Sequence, residues 1–484
     1  MVVYWTLDVL HPSALAIMPI GISCVMSGVG MSFISEIYIR NDLLDCIGVM
    51  MIIIAIENSM VHRRIAIKVL LVFGCSHYRL SFLLFFTSMF LSMWISNILA
   101  CGLMMPVVKA ILAELERMGI VEVYQTIGKA TQKSNRHEQN LPRPTNFTVF
   151  YFLGIAYSSS IGDMATMMGS QTNQIFKVYC ETIFPLGPKI EFPHFMLLNL
   201  PGVLVMETLL YMWMNFAFLG MFRTRSDVEV GLTEEESQYI DTLLATQYHQ
   251  LGKPSFHEIA VSTIATLTAL LQATISTAHI DQTTKGSPNF HKHLRVSSPC
   301  ALCVVLLFVT PVNLEFLRYF KKQTAGSSNL FESLRDSEML LEFEKFLLIF
   351  KGWPASALVF IVVLFCKILT EFASNFSVVY ALLPSIAKVS VLCDVNPHYL
   401  MMASTLASCL PFHLVTGAPV NAMVSAYVNI PPWKMMYAGL GPSVISVIVV
   451  WFTVAVWSNA IWTDITISPQ WAHTNIFGIL NKQN

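Results

Sequence analysis

The feature that most limits the fold of this chain is a pair of apolar stretches that are too long for one membrane crossing. No Asp, Glu, Lys or Arg occurs between Arg79 and Lys109. A straight helix from Ser81 to Ala113 would be about 50 Å long at about 1.5 Å per residue, whereas the hydrocarbon core of a bilayer is about 30 Å thick. Residues 355–390 exceed that thickness in the same way. Each stretch is therefore predicted to break midway or to fold back as a re-entrant hairpin.

Each long stretch contains one Ser-Asn pair, and we place the predicted break there. The pairs are Ser96-Asn97 and Ser374-Asn375, and each Ser is followed ten residues later by a Pro. Small polar residues also hold helices together in membrane bundles, and for one pair alone that is the simpler interpretation. Two pairs in corresponding positions favour functional breaks instead.

The composition assigns the chain to the polytopic all-α membrane proteins. Charged residues make up 12% of the 484 residues, against about 25% in soluble domains, and the mean hydropathy is +0.60. A β-barrel would show short alternating segments, and a formal net charge of −1 gives no basic excess for binding nucleic acid. The ten cysteines are scattered, so no resident metal site is expected. The apolar segments predict roughly 9–11 membrane helices. They lie near residues 12–31, 42–57, 81–113, 147–170, 193–222, 256–278, 299–317, 352–390, 397–428 and 435–458.

The two halves of the chain resemble each other beyond the Ser-Asn pairs. After the first long stretch comes "SSSIGDMATMMGSQTN", which ends at Asn173, and after the second comes "STLASCLPFHLVTGAPVN", which ends at Asn421. Both belong to apolar segments whose middle is rich in small and polar residues. A twofold repeat with two interrupted elements in each half is typical of secondary transporters, which bind their cargo at broken helices near the middle of the membrane.

Broken membrane helices supply the groups that bind ions. Backbone N–H groups at a new helix N-terminus carry partial positive charge, and freed carbonyl groups at the preceding C-terminus can coordinate a cation. A Ser hydroxyl and an Asn amide add neutral donors and acceptors without the cost of burying a charge. The breaks therefore predict a site for an anion and for a co-transported cation.

Several motifs follow one another along nearly the whole chain, and together they carry a family resemblance. In order they are "YWTLDVLHPSALAIMPI", "HRRIAIKVLL", "LSMWISN", "SIGDMAT", "LTEFASN", "LPFHLVTGAPVNAMV" and "AVWSNAIW". With these motifs the chain resembles the divalent-anion/sodium symporter family, which includes the dicarboxylate and citrate carriers of the INDY type. The resemblance implies an inverted-repeat elevator-type transporter with two re-entrant hairpins, and a homodimer. It also implies carboxylate substrates such as succinate and citrate, Na+ as the co-transported ion, no other cofactor, no enzymatic activity and a place in the plasma membrane.

The same resemblance assigns site residues position by position. It implies substrate binding at the two Ser-Asn pairs, namely Ser96, Asn97, Ser374 and Asn375. It implies cation binding in an unwound loop after each hairpin, at Ser160, Gly162, Asp163, Gly169 and Asn173 in the first half, and at Thr416, Ala418 and Asn421 in the second.

Departures from the family pattern fall in these same motifs. Ile98 stands where the family has Thr, and Gly162-Asp163-Met164 stands where it has Gly-Gly-Thr. The second loop has Ala418-Pro419-Val420-Asn421 in place of Thr-Pro-Pro-Asn. A carboxylate at membrane depth is a functional hypothesis by default, so Asp163 can strengthen cation binding or, when protonated, couple transport to H+. It can equally face a water-filled loop or a basic residue. The sequence predicts altered or absent sodium coupling.

The domain boundaries also follow from the resemblance. A cluster of basic residues before the first hairpin and the basic loop after it place both flanks on the cytoplasmic side. The expected units are scaffold helices 1–75 without the family's first helix, hairpin 76–113, polar cytoplasmic loop 114–146, unwound helix 147–185, scaffold helices and loops 186–350, hairpin 351–392, unwound helix 393–430, and a last helix with a tail, 431–484.

Two other functional classes stay open at this point. An intramembrane aspartyl protease needs two facing aspartates that share a proton, and only Asp163 lies in the middle of an apolar segment. A relative that has lost transport and acts as a binding partner or sensor would account for the departures from the family pattern.

Overall fold

A computed structural model describes most of the chain as helices. It covers residues 41–74, 77–119, 121–124, 143–185, 187–188, 190–219, 234–252, 255–285, 302–306, 347, 349–415, 417–462, 465–466, 468–469 and 471–472. Within these residues every regular element is helical, apart from an isolated bridge between Tyr124 and Pro144. The predicted span at 12–31, most of the span at 299–317, most of the loop 114–146, and Thr416 lie outside the described residues.

The helices fall into two similar sets. The first set is α1 (Asn41–Asn58), α2 (Val61–Phe73), α3 (His77–Ser92), α4 (Asn97–Arg117), α5 (Asn146–Asp163), α6 (Gln171–Ile183) and α7 (Phe192–Met214). Two helices, α8 (Glu234–Gln250) and α9 (Phe256–Lys285), follow. The second set is α10 (Ala355–Phe372), α11 (Asn375–Leu392), α12 (Pro397–Ser408), α13 (Pro419–Val428), α14 (Pro432–Phe452) and α15 (Ser458–Ile461).

Five of the described helical stretches are long and apolar enough to cross a membrane. They are Asn97–Arg117, Phe192–Leu219, Ala355–Phe372, Asn375–Leu392 and Pro432–Ile461. The chain is therefore a polytopic α-helical membrane protein, as its composition predicts. The predicted total of roughly 9–11 membrane helices stays a prediction.

Both predicted breaks are present. Helix α3 ends at Ser92 and α4 begins at Asn97, while α10 ends at Phe372 and α11 begins at Asn375. In each case the Ser of the pair is the N-cap, because its side chain accepts a hydrogen bond from a backbone N–H three residues later. The Ser-Asn pairs therefore start new helices in the middle of the two apolar stretches.

The similarity of the two sets extends to α7 and α14, which lie outside the segments whose sequences were compared above. Helix α7 continues into a π-helical turn at Asn215–Leu219, and α14 continues into one at Thr453–Trp457. The two helices pack directly on each other through glycine. A Cβ on Gly202 would lie 2.6 Å from the hydroxyl of Thr453, and one on Gly441 would lie 2.1 Å from the ring of Trp213. Small residues at such crossings let membrane helices approach closely.

The broken helices lie at the centre of the structure. Every residue of α5 from Phe147 to Asp163 is buried, and so is every residue of α12. Helices α3 and α7 pack on α5, and α10 and α11 pack on α12. The predicted functional segments are therefore enclosed by other helices rather than exposed to lipid.

Candidate functional site

The two Ser-Asn pairs, which we call the first tip (Ser96 and Asn97) and the second tip (Ser374 and Asn375), have the same backbone geometry. Ser96 has φ −58° and ψ 143°, and Ser374 has φ −64° and ψ 142°. The Oγ of Ser96 accepts from the backbone N–H of Leu99 at 3.3 Å, and that of Ser374 accepts from Ser377 at 3.4 Å. Each tip therefore presents a helix N-terminus, a hydroxyl and an amide, which are groups that bind anions.

Each half also contains a loop between two helices, and the side chain of one Asn donates hydrogen bonds to two backbone carbonyl groups at the loop. The first loop is residues 164–170, and the second loop is residues 409–418. Asn173 Nδ2 donates to the carbonyl oxygens of Asp163 at 3.1 Å and Thr166 at 2.8 Å. Asn421 Nδ2 donates to Pro411 at 3.0 Å and Leu414 at 3.2 Å.

The two Asn residues make equivalent contacts. In both halves the two accepting carbonyl groups lie ten and seven residues before the Asn. The loops are thus folded in the same way, although their sequences differ.

A glycine in each loop allows it to lie against the end of the preceding broken helix. A Cβ on Gly169 would lie 2.6 Å from the carbonyl oxygen of Ser92, and one on Gly417 would lie 2.9 Å from that of Thr370. Each glycine lies four residues before its Asn, and each contacted carbonyl lies four residues before its tip Ser. The sequence analysis missed Gly417, although comparison with Gly169 would have identified it.

The boundary predicted for the first loop was partly wrong. Ser160, Gly162 and Asp163 belong to the last turn of α5, and Asn173 belongs to the first turn of α6. The helix continues because Gly162 packs on the Met89 carbonyl, where a Cβ would lie only 2.1 Å from the oxygen. The hydroxyl of Ser160 donates to Ala156 within its own helix at 3.1 Å. Ser160 therefore does not take part in the loop through a side-chain bond in this arrangement.

The second loop is longer at its start than predicted, because α12 ends at Ser408. Ala418 precedes α13, and its carbonyl oxygen accepts from the N–H of Asn421 at 3.1 Å. At the second tip, Asn375 Oδ1 accepts from the backbone N–H of Phe376 at 2.8 Å. Thr416 lies outside the described residues, so its predicted role stays a prediction.

Asp163 connects the first loop to the first tip. Its side chain is 1% exposed, and its Oδ2 accepts from Asn97 Nδ2 at 2.6 Å. Its other oxygen, Oδ1, is buried and has no hydrogen-bond partner in the described part of the chain. A buried carboxylate oxygen without a partner is costly, so the arrangement leaves a place for a proton or a cation. Among the described residues, the hydrogen-bond partner of the Asp163 carboxylate is the amide of Asn97.

In the second half the buried carboxylate lies on the helix before the tip, α10, instead of the helix before the loop. Glu371 on α10 accepts from the backbone N–H groups of Phe412 at 3.1 Å and His413 at 2.9 Å. Lys367, one turn earlier, contacts Glu371 at 2.5 Å and also donates to the carbonyl of Leu410. The pairing of Lys367 with Glu371 that the sequence indicates is confirmed. The sequence did not indicate that the pair would hold the second loop.

The second loop contacts the two helices that flank the first loop. Cys409 Sγ, at the start of the second loop, lies 2.9 Å from Thr172 Oγ1 and 3.6 Å from Asn173 Oδ1. Tyr157 on α5 donates to the carbonyl oxygen of Phe412 at 2.8 Å. The second loop therefore lies against α5, which ends at Asp163, and against α6, which carries Asn173. Among the described residues, no three His, Cys, Asp or Glu side chains are arranged to hold a metal ion.

Comparisons with known proteins identify relatives over almost the whole chain. The family model described as citrate transporter matches residues 2–407. "Protein I'm not dead yet" of Drosophila melanogaster is 29% identical over 98% of this chain and 85% of that protein. "Solute carrier family 13 member 2" of Oryctolagus cuniculus is 26% identical over 98% of this chain and 90% of that protein. The "Na(+)/citrate cotransporter" of Mus musculus is 22% identical over 98% of this chain and 91% of that protein.

Proposed function

The chain belongs to the citrate transporter family, and on that premise we propose that it carries di- and tricarboxylates such as succinate and citrate across the plasma membrane. The observation that carries the proposal is the duplicated site. In each half a Ser-Asn tip begins a helix, and a neighbouring loop is held by one Asn on two of its own carbonyl groups. A relative whose name specifies citrate cotransport supports the choice of substrate.

The chemistry of the tips suits a carboxylate with two ends. A helix N-terminus together with hydroxyl and amide donors can bind one carboxylate group without a buried cation. Two such tips could bind the two ends of a dicarboxylate. The residue after each Asn is apolar, Ile98 in the first tip and Phe376 in the second, so backbone N–H groups and the Ser-Asn side chains carry the polar contacts.

We propose that transport follows the elevator mechanism that the family resemblance implies. The moving part would comprise the hairpins 76–113 and 351–392 with the unwound helices 147–185 and 393–430. The scaffold would comprise 1–75 and 186–350, and two copies of the chain would form a homodimer. The breaks at both tips support this proposal because discontinuous helices near the membrane midplane are typical of secondary transporters.

Ion coupling is the part of the proposal for which this chain differs from the family pattern. A relative is named as a Na+/citrate cotransporter, and the loop carbonyl groups beside Asn173 and Asn421 could coordinate Na+. The last turn of α5, directly before the first loop, also carries Asp163, whose Oδ1 has no hydrogen-bond partner among the described residues. The Asp163 carboxylate accepts from the amide of Asn97, and the Asp163 backbone carbonyl accepts from the amide of Asn173, to which the thiol of Cys409 donates. We therefore propose weak or absent sodium dependence, with either proton coupling through Asp163 or uncoupled exchange.

The test is uptake of succinate and citrate into proteoliposomes with Na+ replaced by choline, repeated across pH. The proteins are the wild type, Asp163→Asn and Glu207→Gln. Glu207 is a matched comparison because its carboxylate is also buried and accepts from the hydroxyl of Ser158 on α5 at 2.7 Å. Within the described residues its other oxygen has no hydrogen-bond partner, so Glu207 does not bond to a tip there.

We expect uptake to continue when choline replaces Na+. Any dependence of uptake on pH should be absent in Asp163→Asn and present in Glu207→Gln. Uptake that collapses without Na+ would contradict the proposed change in coupling. Loss of the pH response only in Glu207→Gln would contradict the assignment to Asp163. Binding of succinate without any uptake would support the alternative of a binding partner or sensor.

A further inference from the structure

Helix α9 carries a polar side chain that the proposed function does not use. Its buried face includes Val261, Ala265, Thr268 and Gln272, while Leu270 on the other side is 64% exposed. Gln272 is only 1% exposed, although it lies in the apolar run "TLTALLQATI". A buried amide requires a partner, and in membrane helices such polar residues commonly mark functional positions.

A hydrogen bond joins Gln272 to the first tip. The hydroxyl of Ser96 donates to Gln272 Oε1 at 3.2 Å, while Ser96 Oγ accepts from the N–H of Leu99. A serine hydroxyl has one proton to donate. A substrate carboxylate that bonds to Ser96 as an acceptor would need that same proton. The amide oxygen of Gln272 is a neutral counterpart of a carboxylate oxygen, so the two compete for one donor.

The Ser96–Gln272 bond also joins two parts of the chain that the proposed mechanism separates. Ser96 lies in the proposed moving hairpin 76–113, and Gln272 lies in the proposed scaffold 186–350. Helix α9 packs against α1, which belongs to the same proposed scaffold. Movement of the hairpin relative to α9 would therefore require this bond to break.

We propose that Gln272 is a specificity and gating residue, whose amide oxygen occupies the place of a substrate oxygen at the first tip when the site is empty. Substrate binding displaces Gln272 from Ser96 and so releases the tip from α9. The inference rests on the proposed function, since it takes Ser96 as a substrate contact.

The proposal makes a directional prediction for affinity. Removing a competing neutral hydrogen bond should tighten substrate binding by about two- to tenfold. Gln272→Met removes the amide and keeps a similar volume. Thr268→Val is the matched control, because Thr268 lies one turn earlier on the same buried face and donates within its own helix, to Ile264 at 2.8 Å.

The experiment measures equilibrium binding of succinate and of citrate to the purified full-length protein. We expect Gln272→Met to lower the Kd by about two- to tenfold and Thr268→Val to leave it unchanged. In a Ser96→Ala background, Gln272→Met should no longer change the Kd, because the two side chains act through one bond. If Gln272→Met does not fold, Gln272→Leu takes its place.

The possible outcomes separate this inference from the proposed function. If the wild type binds and the folded Gln272 variant has an unchanged or higher Kd, competition is wrong and the carboxylate function stands. A change in Kd that is equally large in the Ser96→Ala background would show that Gln272 does not act through Ser96. A wild type that neither binds nor transports either acid would overturn both proposals.

Discussion

Replacing Glu371 with Gln is the most informative single substitution, because the Glu371 carboxylate holds the second loop from outside it. The carboxylate accepts from the N–H groups of Phe412 and His413 at 3.1 and 2.9 Å and from the Nζ of Lys367 at 2.5 Å. His413 Nδ1 lies 3.2 Å away. The Gln side chain has nearly the same shape but no charge and one fewer acceptor oxygen.

The expected cost follows from burial. The side chains of Lys367 and Glu371 are 6% and 10% exposed, so water screens the pair little. Removing one partner of a buried ion pair costs about 3–5 kcal/mol, because the other charge is left uncompensated. The Gln amide oxygen can still accept from one loop N–H group, which is worth about 1 kcal/mol. We therefore expect Glu371→Gln to lower the free energy of unfolding by about 3 kcal/mol.

The assay is thermal unfolding in detergent, followed with a dye that reacts with cysteine thiols as they become exposed. Cys366 and Cys409 are buried and flank the pair and the loop, so their exposure reports on this region. For a chain of 484 residues, a loss of about 3 kcal/mol corresponds to a midpoint about 3 °C lower. Uptake should also decrease, because the second loop would lose hydrogen bonds to residue 371 of α10.

Two comparisons make the Glu371 prediction specific. The double variant Glu371→Gln/Lys367→Met has no uncompensated charge, so it should recover at least half of the lost stability. Glu191→Gln disrupts a solvent-exposed pair, in which His194 Nδ1 and Glu191 Oε2 are 3.2 Å apart and the side chains are 49% and 65% exposed, and should cost less than about 1 kcal/mol. A Glu371→Gln protein as stable as wild type would refute the reasoning, and so would a double variant no better than the single one.

Two further pairs of substitutions test the tips and the loops. Asn97→Ala and Asn375→Ala should each abolish succinate and citrate uptake with surface expression near the wild-type level, because each removes the amide of one tip; normal uptake by both variants would contradict the site assignment. Asn173→Ala and Asn421→Ala should each lower the free energy of unfolding by about 2 kcal/mol, because each leaves two loop carbonyl groups without their donor. The thiol-dye assay measures this loss, and a loss in one half only would show that the loops are not equivalent.

The breaks and the repeat could be predicted because they follow from local sequence and from the thickness of a bilayer. An uncharged stretch between Arg79 and Lys109 is longer than one crossing needs, so a break was required, and the recurrence of a Ser-Asn pair in the second long stretch placed it at Ser96-Asn97. The pairing of Lys367 with Glu371 followed from their spacing of four residues on a helix. Each of these inferences uses residues that are close in the sequence.

The contacts that define the site could not be predicted in the same way. Asn97 meets Asp163 across 66 residues, and Ser96 meets Gln272 across 176. Helical periodicity shows which residues share a face, but it does not show which face of another helix lies opposite. The boundary of α5 was misplaced for a related reason, since the continuation of the helix through Gly162 depends on close packing against α3.

The two halves have similar loops but different charged residues near them, and this difference bears on ion coupling. Both loops expose carbonyl groups that an Asn holds, but the second loop is held by Glu371 together with Lys367, a pair whose charges cancel. In the described part of the first half, the buried carboxyl groups of Asp163 and Glu207 have hydrogen bonds only from Asn97 and Ser158, and each keeps one unpartnered oxygen. A buried carboxylate without a cation is expensive, so a proton or a cation is needed in the first half and not at the Glu371 pair. Under the proposed function, two equivalent tips would bind the substrate while the need for a coupling ion would fall on the first half.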